Sequence, residues 1–173
     1  IPNSDFVAVA AGGHSLCLKA DGTIVAWGCG GSADYGQCIV AAPNTGFIAI
    51  AAGRYHSLGV KADGSIVAWG SNRFGQRDVP EPNAGFVAVA AGERHSLGLK
   101  NDGSITTWGD HYFRQSDVPE RNSGFIAIAA GGYHSLAIRR VKGDADADGD
   151  VDWADFAVFA DYLLGPSVEP QLA

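Results

Sequence analysis

FVAVAAGERHSLGLKNDGSITTWG, residues 86–109, is the stretch that decides the fold of this 173-residue chain. Its first run, 86–90, alternates large and small side chains, which is typical of a strand packed between neighbouring sheets. A second run covers 95–100, and a third run follows Asp102-Gly103. Asp-Gly between two such runs indicates a tight hairpin, because Gly tolerates the positive φ that the turn requires. The stretch therefore predicts a meander of three strands.

The same pattern recurs along the chain. The repeats start near Phe6, Phe47, Phe86 and Phe125, spaced 41, 39 and 39 residues apart, and the fourth is about half present. The connecting loops, such as 71–80, leave room for a short fourth strand. One such sheet cannot bury both faces alone, so neighbouring sheets must stack. We predict an all-β, partial β-propeller of about three and a half three- or four-stranded blades over residues 1–140.

The repeated motifs also carry a family resemblance. AAGxxHSL, the Asp-Gly hairpin, AWG and the downstream pair Gly75-Gln76 resemble the regulator of chromosome condensation repeat, over residues 1 to about 140. The 39-residue length and VPEPNAGF after the Gln are similar to the bacterial branch that includes the secreted β-lactamase inhibitor propellers. That resemblance implies seven blades. Blades shorter than those of the eukaryotic nucleotide exchange factor, and a body that is not basic, argue against transferring exchange activity or chromatin binding.

Three and a half blades leave an open ring with exposed strand edges, since propellers usually close. Two explanations stay open. The chain is the C-terminal half of a longer propeller, or two chains self-associate through their open blade edges into one ring of about seven blades.

Three residue types hold one phase in the repeats. The histidines are interpreted as hydrogen-bonding to backbone between blades rather than as a metal ring, because equivalent positions are spread around the axis. The tryptophans are interpreted as apolar anchors between blades. A serine follows each histidine, and a residue copied in every repeat is better explained by the blade than by a nucleophile, so no catalytic or cofactor-binding residue is predicted. These residues are His14, His56, His95 and His134, Ser15, Ser57, Ser96 and Ser135, and Trp27, Trp69 and Trp108.

The cysteines mark the one longer loop. Cys29 and Cys38 bracket three extra residues of the first repeat, which favours a disulfide and an oxidising compartment, with two free thiols as the alternative. Cys17 stands where other repeats have Gly or Ala and is predicted to be a small buried thiol.

The acidic tail has the pattern of a calcium loop. Residues 143–173 carry eight acids and no Lys or Arg, while 1–142 balance to +1 of the total −7. Oxygens fall at positions 1, 3, 5, 7, 9 and 12 of the loop, with Gly149 at position 6 for its sharp turn. We predict calcium ligation by Asp144, Asp146, Asp148, Asp150, Asp152 and Asp155. A disordered acidic tail is the alternative.

An apolar helical face follows the loop, and the segment 141–166 resembles a single dockerin repeat, which implies a cohesin-like partner; 167–173 is a tail.

The near-neutral body argues against nucleic acid, and no stretch is apolar enough for a membrane span. Divergent loops predict partner binding at Arg73, Phe74, Tyr112 and Phe113. We predict a secreted or cell-surface bacterial, non-enzymatic interaction propeller with a calcium-dependent anchor. The alternative is an accessory part of an extracellular polysaccharide-degrading enzyme.

Overall fold

The structure, a computed structural model, describes residues 5–139, which form four antiparallel sheets. The first three have three strands each, and the fourth has two. Their strands are β1 Phe6–Ala11, β2 Ser15–Lys19 and β3 Ile24–Trp27; β4 Phe47–Ala52, β5 His56–Lys61 and β6 Ile66–Gly70; β7 Phe86–Ala91, β8 His95–Lys100 and β9 Ile105–Gly109; β10 Phe125–Ala130 and β11 Ser135–Arg139. A single turn of 3₁₀ helix, Gly31–Ala33, lies in the first long loop. The predicted all-β partial propeller is confirmed, and we call the sheets blades 1 to 4.

Blades 1, 2 and 3 are meanders whose second hairpin is the predicted Asp-Gly turn. In blade 3, Gly103 has a φ of +79°, a conformation that side chains with a Cβ rarely adopt. Asp102 Oδ1 accepts hydrogen bonds from the backbone N–H and the hydroxyl of Ser104, at 2.8 and 2.6 Å. The turn is therefore fixed by its own side chains, and it sets the register in which Leu99 pairs with Ile105.

No fourth strand forms in the loop between blades 2 and 3, although the sequence left room for one. The loop satisfies its own backbone donors with side chains: Asn72 Oδ1 accepts from the N–H of Arg77, and Gln76 Oε1 accepts from the N–H of Phe74. Pro80 and Pro82 have no N–H to offer to a ladder. The loop is thus a compact cap at one end of the sheet.

The core lies between blades rather than within them. Leu58, Val60 and Ile66 of blade 2 pack on Phe86 and Trp108 of blade 3 and are at most 6% exposed. Equivalent clusters join blades 1 and 2 and blades 3 and 4. Both faces of an inner sheet are therefore covered, as the alternation of large and small residues predicts.

A disulfide bond closes the first long loop. The structure joins Cys29 to Cys38 by a disulfide, with their Cα atoms 6.0 Å apart, and Cys17 is a buried free cysteine. Within residues 5–139 no helix has the length and apolar character needed to cross a membrane.

Candidate functional site

Consecutive blades are locked together by a repeated network of four residues. At the junction of blades 2 and 3, His56 Nε2 lies 2.9 Å from Ser96 Oγ of the next blade. Ser96 Oγ donates to the backbone oxygen of Gln76, 2.9 Å away, and Trp108 Nε1 donates to the same oxygen. The junction of blades 1 and 2 repeats this arrangement, and the His and Ser contacts recur between blades 3 and 4.

The network fixes the proton on the histidine. Because Ser96 Oγ donates its hydrogen to Gln76, it must accept one from His56 Nε2. His56 Nδ1 is buried and has no hydrogen-bond partner, so a proton there would be an unsatisfied donor. Burial lowers the pKa of His56 to about 3 and that of His95 to about 4, and it also lowers the pKa of His14. The rings are therefore neutral at ordinary pH.

This network corrects one prediction from the sequence. The histidine contacts the serine hydroxyl of the next blade, and that hydroxyl donates to the backbone oxygen of the glutamine. The repeated serine therefore completes the junction. Tryptophan is an apolar anchor as predicted where a preceding blade exists: Trp69 and Trp108 are 5% and 6% exposed. Trp27, the last residue of β3 in blade 1, is 48% exposed.

The buried glutamine of each junction also presents an aromatic residue at the surface. Gln76 Oε1 accepts from the N–H of Phe74, and Gln115 Oε1 accepts from the N–H of Phe113, both at 2.8 Å. Gln37 does the same for Tyr35 at 2.7 Å. Because the glutamine is fixed in the junction, the aromatic side chain two residues earlier projects from the same end of blades 1, 2 and 3.

Each of these aromatic side chains meets the first hairpin of the next blade. Tyr35 contacts Tyr55, with ring centroids 5.4 Å apart, and Phe113 contacts Tyr133 at 5.2 Å. Phe74 instead lies under the guanidinium of Arg94, 4.5 Å from its ring centroid, which is cation–π geometry. The pairs form a row across the three junctions.

Glu93 connects this row. Its carboxylate is 2.8 Å from Arg54 Nη1 of blade 2 and 3.3 Å from Arg94 Nε, and it accepts a hydrogen bond from the Tyr133 hydroxyl of blade 4. Burial raises the pKa of the Glu93 carboxyl, but the hydrogen bonds from Arg54 and Tyr133 and the two arginine charges outweigh it, and the pKa lies below its usual range. One carboxylate, with its residue 7% exposed, thus holds side chains from three blades.

We call this end of the molecule the loop face. Its side chains are largely exposed: Tyr112 is 80%, Tyr35 47%, Phe113 46%, Tyr133 43% and Phe74 37% exposed. Toward the axis it surrounds a depression of about 390 Å³, which is lined by the Ala-Gly turns that join the first two strands of each blade, together with Arg54 and Glu93.

The four loop residues predicted from the sequence all lie on this face. Phe74 and Phe113 occupy equivalent positions in adjacent loops; Tyr112 packs on Phe113 with ring centroids 4.9 Å apart, and Arg73 is exposed beside Phe74. The sequence did not identify Glu93 or the three side chains that contact its carboxylate, which are Arg54, Arg94 and Tyr133. The signal was present, because the residues between AAG and His differ in every repeat: a single Gly in the first, then Arg-Tyr, Glu-Arg and Gly-Tyr.

The predicted calcium ligands, Asp144 to Asp155, the dockerin-like segment 141–166 and the tail 167–173 lie outside the described residues. Among residues 5–139 no group of three or more His, Cys, Asp or Glu side chains is arranged to hold a metal ion.

Two blades of the propeller match a known protein family. The family model described as the Regulator of chromosome condensation (RCC1) repeat matches residues 47–76 and 86–115. No curated protein matches the chain.

Solved structures share its fold. Prp20p from Saccharomyces cerevisiae is 24% identical, with a TM-score of 0.68, over 82% of this chain and 44% of its own. Yeast RCC1 (Prp20) bound to Kap60 is 24% identical, with a TM-score of 0.66, over 80% and 42%. The CRINKLY WD40 ectodomain of the Arabidopsis thaliana receptor kinase ACR4 is 26% identical, with a TM-score of 0.65, over 77% and 46%.

The chain therefore spans less than half the length of these structures, and the likeness is one of fold. Residues 47–76 and 86–115 match the RCC1 repeat, and the described chain has the fold of a partial RCC1-like β-propeller.

Proposed function

We propose that this chain is a non-enzymatic interaction module that binds a protein partner through the loop face. The observation that carries the proposal is the connected set of exposed aromatic and arginine side chains that the buried Glu93 carboxylate holds across three blades. Tyr, Phe and Arg are the residues enriched at protein interfaces and at the positions that contribute most to binding. Two solved structures of similar fold belong to a protein that binds other proteins: yeast RCC1 is bound to Kap60 in one, and the other is described together with the binding properties of Prp20p to Gsp1p and histones.

The geometry favours binding because the side chains are ordered before a partner arrives. Phe74 is fixed through its own N–H to Gln76, and Arg94 is fixed between Glu93 and the Phe74 ring. Side chains that are already held lose less conformational freedom on association, which leaves more of the contact energy for affinity. The small residues around the axial depression leave room for a protruding side chain of the partner.

A matched pair of variants tests this proposal. The loop-face variant is Arg73→Ala, Phe74→Ala, Tyr112→Ala and Phe113→Ala combined. The control variant changes three exposed residues at the opposite, hairpin end: Asn101→Ala, Glu120→Ala and Arg121→Ala. The three proteins are immobilised and exposed to secreted and surface proteins of the source organism, and retained proteins are quantified by mass spectrometry.

We expect at least one protein to be retained by the wild type and the control and lost with the loop-face variant. That protein is then produced and its affinity measured directly by calorimetry. Retention of the same proteins by all three, with unchanged affinity, would show that the loop face is not the binding surface. Circular dichroism establishes that each variant keeps the β-sheet signal.

The setting of this module is also proposed from the sequence. The Cys29–Cys38 disulfide supports an extracellular or cell-surface location, since such bonds persist in oxidising compartments. Resemblance to the short bacterial branch of the repeat supports a bacterial source. The Asp-rich segment supports a calcium-dependent anchor, with a cohesin-like module as its partner. Carboxylate oxygens are the donors that calcium prefers, and six carboxylates within twelve residues repel one another without a cation.

The division of the chain into a propeller and a dockerin-like segment also supports a second candidate function. The chain would be an accessory part of an extracellular polysaccharide-degrading enzyme, since a dockerin-like repeat joins modules in secreted bacterial assemblies. Recovery of the full reading frame discriminates the two: further repeats favour the interaction propeller, and a separate catalytic domain favours the accessory part.

A further inference from the structure

Two guanidinium groups cover one buried carboxylate at the centre of the loop face. Arg54 Nη1 and Arg94 Nε lie 2.8 and 3.3 Å from the Glu93 carboxylate. The Glu93 side chain is 8% exposed, whereas the Arg54 and Arg94 side chains are 54% and 37% exposed. A partner that approaches this face therefore meets two guanidinium groups, and with Glu93 ionised the three side chains carry one excess positive charge.

This exposure does not come from an open end of the propeller. Arg54 belongs to blade 2, and Glu93 and Arg94 belong to blade 3. Apolar clusters join blade 2 to blade 1 and blade 3 to blade 4, so each of these two blades has a neighbour on both sides. The arginines thus lie on complete blade junctions, at the end of the molecule where the long loops leave the sheets.

Four further acidic side chains of the loop face are held by their own loops. They are Asp34, Asp78, Asp110 and Asp117, which accept hydrogen bonds from Gly36, Asn72, Tyr112 and Arg114, in that order. All four lie in the long loops that follow the third strands, whereas the arginine pair lies in the short turns that follow the first strands. These short turns line the axial depression. The loop face is therefore positive at its centre, and its acids lie at the periphery.

Both arginines keep hydrogen-bond donors for a partner. A guanidinium has five N–H donors in one plane, and a carboxylate accepts two of them in parallel. Arg54 donates to Glu93 from Nη1, and within residues 5–139 neither arginine pairs with a second carboxylate. The Tyr55 ring centroid lies 5.1 Å from the Arg54 guanidinium, and that of Phe74 lies 4.5 Å from the Arg94 guanidinium. The guanidinium groups are thus held in place, so little side-chain freedom is lost on binding.

The aromatic rings around the arginines favour a polypeptide partner over a sugar chain. Tyr35 and Tyr55, Tyr112 and Phe113, and Phe113 and Tyr133 meet with angles of 76°, 86° and 64° between their ring planes. Rings that are so steeply inclined form no flat platform on which successive sugar rings could stack. They leave clefts lined by ring edges and faces, which suit the side chains of a protein segment.

We propose that the loop face binds a protein segment rich in Asp and Glu, and that its carboxylates pair with Arg54 and Arg94. This partner chemistry rests on the proposed function, because it specifies the partner of the same surface. Clusters of arginines are a recurring means of recognising acidic segments. The pairing supplies the negative charge that the centre of the face lacks, and opposite charges across an interface speed association and exclude like-charged partners.

A random peptide library displayed on phage supplies the probe. The full chain is immobilised, and the enriched peptides are synthesised and titrated against it by calorimetry. We expect these peptides to carry more Asp and Glu than Lys and Arg. Replacing their Asp and Glu by Asn and Gln should weaken binding to the wild type at least about tenfold, and added salt should weaken the binding of the acidic peptides. These replacements are made in the peptide, so their outcome does not depend on the folding of a variant protein.

Matched variants of the chain test the contact itself. Arg54→Gln removes one exposed guanidinium while Arg94 remains beside Glu93, and it should weaken binding of the acidic peptides at least about tenfold. Arg121→Gln is the control, an exposed arginine at the hairpin end, and should bind as the wild type does. Arg54→Lys keeps the charge but loses the planar pair of donors, so its affinity should lie between those of the wild type and Arg54→Gln. Equal affinities of Arg54→Gln and Arg121→Gln for the acidic peptides overturn the proposal.

The remaining outcomes separate the acidic partner from the proposed function. Peptides without excess acid that the combined loop-face variant fails to bind overturn the acidic partner and leave the loop face as a binding surface. Acidic peptides that every variant, including the loop-face variant, binds as tightly as the wild type contradict both. A library that enriches no peptide overturns the acidic partner, and the retention experiment then decides the proposed function alone. Binding of xylan or cellulose oligosaccharides that Phe74→Ala and Tyr112→Ala abolish overturns the acidic partner in favour of a sugar-binding face.

Discussion

Acidification from pH 7 to pH 5 should weaken the propeller through its junction histidines. The pKa of His56 is lowered to about 3 and that of His95 to about 4 by burial, whereas an unfolded histidine has a pKa of about 6.5. The unfolded chain therefore binds protons first as the pH falls. The contribution of these residues to stability is complete above pH 6.5 and is lost as the pH falls from 6.5 toward the folded-state values.

The size of the loss follows from proton linkage. Between pH 7 and pH 5, each histidine that stays neutral in the folded protein lowers the free energy of unfolding by about 2 kcal/mol. His56 and His95 together give about 4 kcal/mol. His14, whose pKa is also lowered by burial, adds to the loss. Most carboxyl groups contribute little in this interval, because pH 5 lies above their ordinary pKa of about 4.

Urea unfolding, followed by tryptophan fluorescence at both pH values, measures this loss. In His95→Gln the difference between pH 7 and pH 5 should shrink by about 2 kcal/mol, even if the variant is less stable at both pH values. His111→Gln is the control, since His111 is exposed in a loop, and it should retain the wild-type difference. A His95→Gln variant with the full wild-type pH dependence would refute the conclusion that His95 is buried and neutral.

Three further outcomes are expected. Gly92→Ala should destabilise the protein by about 1–3 kcal/mol in thermal or urea unfolding, because its Cβ would lie 2.2 Å from the His95 ring and 2.6 Å from a backbone oxygen; Gly132→Ala, with no atom within 4 Å of its Cβ, is the control. Glu93→Gln should lower the pKa of the Tyr133 hydroxyl, which the hydrogen bond to Glu93 raises, and ultraviolet titration of the tyrosines would contradict this if the curve were unchanged. Calorimetry should detect one calcium site in the full chain that Asp144→Ala with Asp148→Ala abolishes, and equal heats in both proteins would rule out the predicted loop.

The fold could be predicted from the sequence because its determinants are local and repeated. Alternation of large and small residues identifies a strand buried on both faces, and an Asp-Gly pair identifies the hairpin that follows it. Four copies in phase, each starting at a phenylalanine such as Phe86, then require stacking, since no single sheet covers both its faces. The sequence left open whether each blade has a fourth strand. None forms in the loop between blades 2 and 3, because side chains of that loop accept hydrogen bonds from its own backbone N–H groups.

The candidate site could be predicted only in part, because it depends on contacts between blades. Divergence among otherwise identical loops was enough to single out Arg73, Phe74, Tyr112 and Phe113. The partner of His56 is a serine 40 residues away in sequence, and Glu93 meets arginines and a tyrosine contributed by three blades. To predict such pairings, one needs the strand register and the angle between neighbouring sheets, and the period of the repeat gives neither. The positions that vary most between copies are therefore where this fold assembles its surface, and a single variable residue such as Glu93 can connect the loops of neighbouring blades.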